Sequence, residues 1–324
     1  MIFLYTKKCI KLIPLLSFIL AISACTEQKT AQEYILSASQ YSKNHNHNAA
    51  IIELKNAVKQ SPKNAELRYH LSKAYIEQGN YLNAEKEIEK AEKLGFEKSK
   101  ILHDLALIKY KLHKTNEVQN LLENAAKLND EEYISVLIYA GLSALSNNEI
   151  EKAQDFIAQA NSISETSIYS KVGTAYLLHS NESFNKGLAL IDTVLAESSD
   201  FSEALLLKGH LLFGTEEFIK ASEVYRKYRK VHPLAHQVRF FEVNSLISAG
   251  QYEQADALAS ELLKLFKDSP LALQYKAQIE YQKKNYDSAK DYANKAIQQR
   301  EDVLIAKISA GVSAYQLGKL EQAY

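Results

Sequence analysis

The chain has 324 residues, 46% hydrophobic and 24% charged, with 39 basic and 39 acidic side chains. That balance excludes a disordered chain, a multispanning membrane protein and a nucleic-acid binder built on excess positive charge. Helix-interrupting residues are scarce, with only 10 Gly and 4 Pro, so an almost entirely helical chain is expected.

Residues 1–24 read as an address. Lys7, Lys8 and Lys11 form a basic start, and Leu12 to Ala24 follow as an apolar stretch shorter than the roughly 20 residues that span a bilayer. Without the three lysines the balance becomes 36 basic against 39 acidic groups. Ile22-Ser23-Ala24-Cys25 resembles the bacterial lipobox, an aliphatic residue and two small ones before a Cys. The resemblance implies cleavage before Cys25, a diacylglyceryl group on its sulfur and acylation of the new amino terminus. Thr26 follows in place of Asp, which in enterobacteria-like sorting implies the outer membrane, periplasmic side. With Cys9 in the leader and Cys25 alkylated, neither thiol is left for a disulfide, a metal or a nucleophile. Residues 25–30 are then a lipidated tether.

A repeat runs through residues 31–324. One small residue recurs at Ala50, Ala84, Ala153, Ala221, Ala255, Ala289 and Ala323, with Val118 and Gly187 in the two remaining slots. The gaps are 34, 34, 35, 34, 34, 34, 34 and 34 residues, a phase that identifies stacked helical units. Counting from Ala31, further slots are filled by Tyr34, Ala38, Tyr41, Ala57 and Pro62, and "EQGNY", "SAGQYEQA", "QKKNYDSA" and "QLGKLEQA" recur at one turn.

This pattern resembles the tetratricopeptide repeat. The resemblance implies an all-α fold, a right-handed α–α superhelix of about nine antiparallel helix pairs, the last one truncated. A single pair cannot bury both of its apolar faces, so neighbours must stack. The eighth and twentieth positions fall where the two helices cross closest and take only Ala, Gly or Ser. Tyrosines at the fourth, eleventh and seventeenth positions fill the space inside each repeat. Repeats three, with Val118, and five, with "HSNESFNKG" and Gly187, depart most from the pattern. Tyr324 falls one residue past a small slot, inside a second helix, so a longer protein is expected, since solenoids finish with a polar capping helix.

No phosphate loop, HExxH, nucleophile elbow or Cys pair stands in the sequence, so no enzyme activity, cofactor or metal is expected. His45 and His47 alternate in a polar turn with no third ligand near. His232 and His236 flank Pro233, which keeps one helix from joining them. "YRKYRKVH" at 225–232 reads as a solvated basic face at a helix C-terminus, with anionic lipid or polysaccharide as the alternative.

What remains is surface. In tetratricopeptide folds the first helix of each pair lines a concave groove, and its outward positions here include Lys43, Tyr69, Lys73, His103, Tyr110, His210, Asn244, Gln274, Gln278 and Tyr281. These suit an extended peptide or a glycan. The Lys and Asn of a carboxylate clamp are missing from repeat one, which has Ile35 and Ser39 at those positions. The segment "AAIIELKNAVKQSPKNAELRYHLSKAYIEQG" behind a lipobox and short tether resembles the repeat lipoproteins encoded with PEP-CTERM/exosortase systems, which accompany exopolysaccharide production in Gram-negative bacteria. A non-catalytic envelope scaffold that binds proteins is the expectation this implies. The alternatives are a pilus or outer-membrane assembly lipoprotein and a glycan-binding module.

Overall fold

The 34-residue beat becomes a backbone that turns at the same place in every unit. The computed structural model describes residues 29–125, 129–300 and 304–318. Within them lie seventeen α-helices, one short 3-10 helix and no strand, so the all-α expectation holds. The first helices of successive pairs are α1 (Ala31–Lys43), α3 (Ala65–Gln78), α5 (Leu102–Lys111), α7 (Asp130–Ser146), α9 (Ile168–Ser180), α11 (Ser202–Gly214), α13 (His236–Ser248), α15 (Pro270–Gln282) and α17 (Leu304–Gln316). Their partners are α2 (His47–Gln60), α4 (Tyr81–Lys93), α6 (Thr115–Ala125), α8 (Ile150–Ile163), α10 (Phe184–Glu197), α12 (Phe218–Val231), α14 (Tyr252–Leu265) and α16 (Tyr286–Gln299). Residues 1–28, with the leader and Cys25, and residues 319–324, with Ala323, lie outside the described residues.

Each turn between paired helices carries one residue in the left-handed region. These are His45, Gly79, His113, Asn148, Glu182, Glu216, Gly250 and Lys284, and Gly318 after α17 takes the same conformation, with φ between 55° and 84°. Their neighbours close the helix end with a backbone bond spanning five residues, such as Asn80 N–H to the Tyr75 carbonyl at 2.8 Å and Glu217 N–H to the Leu212 carbonyl at 2.9 Å. Helix starts are fixed by side chains: Thr30 and Glu33 form a capping box on α1, Asn64 caps α3, and Ser269 with Pro270 opens α15.

Small residues let the helices meet. Ala50, Ala84, Ala153, Ala221, Ala255 and Ala289 are all fully buried. The eighth and twentieth positions touch as expected: the Ser72 hydroxyl donates to the Ala84 carbonyl at 2.8 Å. A Cβ on Gly141 would lie 3.5 Å from the Ala153 oxygen, and one on Gly187 3.6 Å from the Ala175 oxygen. At Gly209 the missing Cβ has another use, because the Tyr225 ring fills its place.

Repeat three departs in its helices. The 3-10 helix Lys98–Ile101 replaces the first turn of α5, and in the following repeat α7 extends to 17 residues behind the Asn129 cap. A charged lattice holds this unit: buried Lys109 reaches Glu85 and Glu117 at 2.6 Å and Glu89 at 3.3 Å, while Lys114 reaches Glu85 at 2.8 Å. Repeat five, in contrast, has two regular helices of 13 and 14 residues, because Gly187 serves the small slot as Ala does elsewhere.

The stack also meets itself. The His232 ring, after α12, joins the Glu77 carbonyl at the end of α3 at 2.9 Å and the Ser202 hydroxyl at 2.6 Å. Leu234 N–H points at the Gln78 carbonyl at 3.4 Å. Lys111, at the end of α5, pairs with Glu203 in the first turn of α11 at 3.3 Å, with both side chains nearly out of water. Tyr81 and Tyr228 stand beside Lys111 and Glu203 at the same place. Repeats two and three are thereby joined along one seam to repeat six.

Candidate binding groove

Among the described residues, three of the hollows along the first helices of the pairs hold residues expected in the groove. The first, about 580 Å³, lies between α1 and α3 and is lined by Ser39, Ser42, Lys43, Tyr69, His70, Lys73 and Glu77 over an apolar floor of Ile35, Ala38, Leu54 and Ala74. The second, about 260 Å³, shares Tyr69 and Lys73 and adds Lys100, His103, Asp104, Glu131, Glu132, Ser135 and Tyr169. The third, about 130 Å³, is built from His179, His210, Phe213, Tyr225, Phe241 and Asn244. Six of the ten expected groove residues, Lys43, Tyr69, Lys73, His103, His210 and Asn244, therefore line hollows.

Their environments differ. Lys43 is exposed, while Lys73 stands 3.8 Å from the buried Asp104 carboxylate. Tyr69 stacks on Phe96 at 4.6 Å, and burial, followed by the Asp104 charge, pushes its phenol up. The Ser135 hydroxyl donates to the Glu132 carbonyl at 2.6 Å, so His103 Nδ1, 2.8 Å from the same oxygen, is the donor there. Burial pushes His103 down, and its neutral ring keeps an acceptor at Nε2. His210 bonds the Tyr225 hydroxyl through Nδ1 at 2.8 Å, lies edge-on to Phe241 at 4.8 Å, and is pushed down to about 4 by burial.

The remaining four sit differently. Tyr110 stacks on Tyr139 at 5.9 Å beside Lys111, within the ring cluster behind the seam. Gln274, expected among the outward positions, is only 6% exposed. Gln278 is half-buried in α15, and half-buried Tyr281 packs against Tyr286 at 5.5 Å. His45 and His47 are 6.2 Å apart between ring centroids, and among the described residues no group of three or more His, Cys, Asp or Glu could hold a metal ion.

The basic stretch of α12 is not simply a solvated face. Arg226 and Arg229 both reach Glu242 of the next repeat, at 3.0 and 2.6 Å, and that carboxylate is 2% exposed. Tyr225, Tyr228 and His232 of the same stretch are buried. Lys227 and Lys230, and in part Arg226, keep the exposed character expected of the whole run.

Models of the family described as tetratricopeptide repeat match residues 42–97 and 242–303. The chain contains tetratricopeptide repeats. The two matched segments cover the turn of repeat one through repeat two, and most of repeats seven and eight. Among solved structures the chain is similar to YrrB, described as a TPR protein with an unusual peptide-binding site, at 18% identity over 57% of this chain and 95% of that one, with a TM-score of 0.46. It is also similar to yeast Tom70, at 12% identity over 92% and 77% of the two chains, TM-score 0.46. A tetratricopeptide repeat protein from Parabacteroides merdae matches at 14% identity over 87% and 98%, TM-score 0.43.

The seam residues Glu77, Lys111, Glu203 and Tyr228 were not foreseen from the sequence. Repeat phase assigns each of them an ordinary surface or core slot, and nothing local marks a partner several repeats away. Glu242 is different: an acid one helix beyond a run of arginines is a legible hint of a pair.

Proposed function

We propose that the chain is a non-catalytic scaffold that docks protein partners in the groove along its first helices, at the cell envelope of a Gram-negative bacterium. The observation that carries this reading is the run of hollows in which an apolar floor is ringed by Lys43, Lys73, His70 and Glu77 and continues past Tyr69 to His103 and Asp104. Such a strip offers apolar contact and hydrogen bonds of both polarities to an extended segment. A glycan is less well served, because Tyr69, Tyr110 and Tyr281 each have a ring neighbour on the protein itself.

The envelope part of the proposal is supported by the sequence at Lys7 to Cys25, and the link to a PEP-CTERM/exopolysaccharide system by the resemblance of the first repeats. Acyl chains on Cys25 would add about 0.8 kcal/mol per buried methylene, enough with several chains to anchor without a membrane helix. Among the described residues no helix is long and apolar enough to cross a membrane.

A photocrosslinking residue placed at Lys73 in the groove, compared with one at exposed Lys86 on α4, tests the docking. Adducts of defined mass in envelope fractions from Lys73 alone support it, and equal labelling from both positions counts against it. Mass spectrometry of the amino-terminal peptide, with Cys25→Ala as control, tests the anchor separately: an unacylated peptide would remove it.

A further inference from the structure

Stacked repeats hold together through their immediate neighbours. The apolar clusters among the described residues obey this, and none draws side chains from both repeat two or three and repeat six. The seam is made of other material: the Lys111–Glu203 pair, the His232 bonds to Glu77 and Ser202, the long Leu234–Gln78 backbone bond and the Tyr81–Tyr228 contact. A buried ion pair contributes little net stability, because loss of hydration offsets most of the attraction. Breaking these contacts leaves every neighbour interface intact. Opening the seam therefore divides none of the apolar clusters among the described residues.

We propose that the seam is a latch, which releases while the helix pairs remain folded and so brings Tyr81, Tyr110, Lys111 and Tyr228 into water. Gly79 fits this role. It carries φ of 84°, and a Cβ there would lie 3.5 Å from Ala235 N and 3.8 Å from the His232 Cβ, so the turn of repeat two is in contact with the far side of the seam.

Native-state hydrogen exchange on the whole chain tests the latch. The Leu234 amide should exchange at least 100-fold faster than the amides in the middle of α7, with a smaller dependence on denaturant. Glu203→Lys sets two like charges together at Lys111. It should speed Leu234 exchange about 10-fold further and raise the radius of gyration in X-ray scattering, with helicity and α7 protection unchanged. Equal rates at Leu234 and α7 in the unaltered protein would overturn the proposal. If Glu203→Lys does not fold, His232→Ala decides: faster seam exchange with full helicity supports the latch, and loss of helicity overturns it.

Discussion

The His232 imidazole and the Glu77 carbonyl, 155 positions apart in sequence, are joined by a 2.9 Å hydrogen bond. The carbonyl can only accept, so His232 Nδ1 donates, and Nε2 receives the Ser202 hydroxyl at 2.6 Å. The neutral ring satisfies both partners at once.

That arrangement sets a pH dependence. Burial pushes His232 and His210 down to about 4 from the ordinary 6.5, and His70, His103, His179 and His236 move in the same direction. The unfolded chain binds these protons first, so the stability these rings contribute is complete above about pH 6.5 and is lost as pH falls towards 4. Denaturant midpoints should be level from pH 8 to 7 and then fall, by at most about 1.4 kcal/mol per pH unit for each ring. His210→Phe should flatten the slope. A midpoint unchanged down to pH 5 would contradict neutral burial.

Gly209→Ala should destabilise, against the usual gain of about 0.5–1 kcal/mol for Gly to Ala in a helix. The added Cβ would lie 2.4 Å from a ring carbon of Tyr225, which is 2% exposed and cannot swing away. Overpacking of this kind costs about 1–3 kcal/mol, and Ala84→Leu at the fully buried small slot of repeat two should cost a similar amount. Urea unfolding of the two variants measures both, and Tyr225→Leu should relieve the first alone.

Glu242→Ala should cost about 2–3 kcal/mol, since it strands Arg226 and Arg229 beside a buried site. Arg226 is 43% exposed and can regain water, so Arg226→Ala should cost less, under about 1 kcal/mol, than Arg229→Ala, whose side chain is 18% exposed. Thermal unfolding of the three variants ranks them.

Lys284→Gly and Glu182→Gly should stabilise by a few tenths to about 1 kcal/mol, because both residues hold the left-handed conformation at φ 64° and 57°, which costs a side-chain-bearing residue about 1–2 kcal/mol before the entropy of Gly is counted. Gly79→Ala should do the opposite. Chemical denaturation of the three variants gives the signs, and a loss at Lys284→Gly would show that its side chain does something more than occupy the turn.

The regular part of this molecule was legible because it is local. Ala50, Ala84 and their successors announce where two helices touch, and the distance between them fixes the length of each unit. The left-handed turn was half visible, through Gly79 and Gly250, and hidden where His113, Glu182 or Lys284 take the same shape, since the backbone bond that closes the helix is indifferent to the side chain. Lys43 and Lys73 line a hollow beside the first helices, whereas Tyr110 stacks on Tyr139 and Gln274 is buried in α15, differences in exposure that repeat phase alone does not carry. The seam was out of reach, because periodicity describes each unit against its neighbour and carries no information about which distant units come together.

The closed contact between early and late repeats limits how this chain can change. An open stack can gain or lose a unit anywhere and keep each local interface. Here an additional repeat inserted between α5 and α11 would carry Glu203 and His232 past Lys111 and Glu77, so the number of units in that interval is itself under structural constraint.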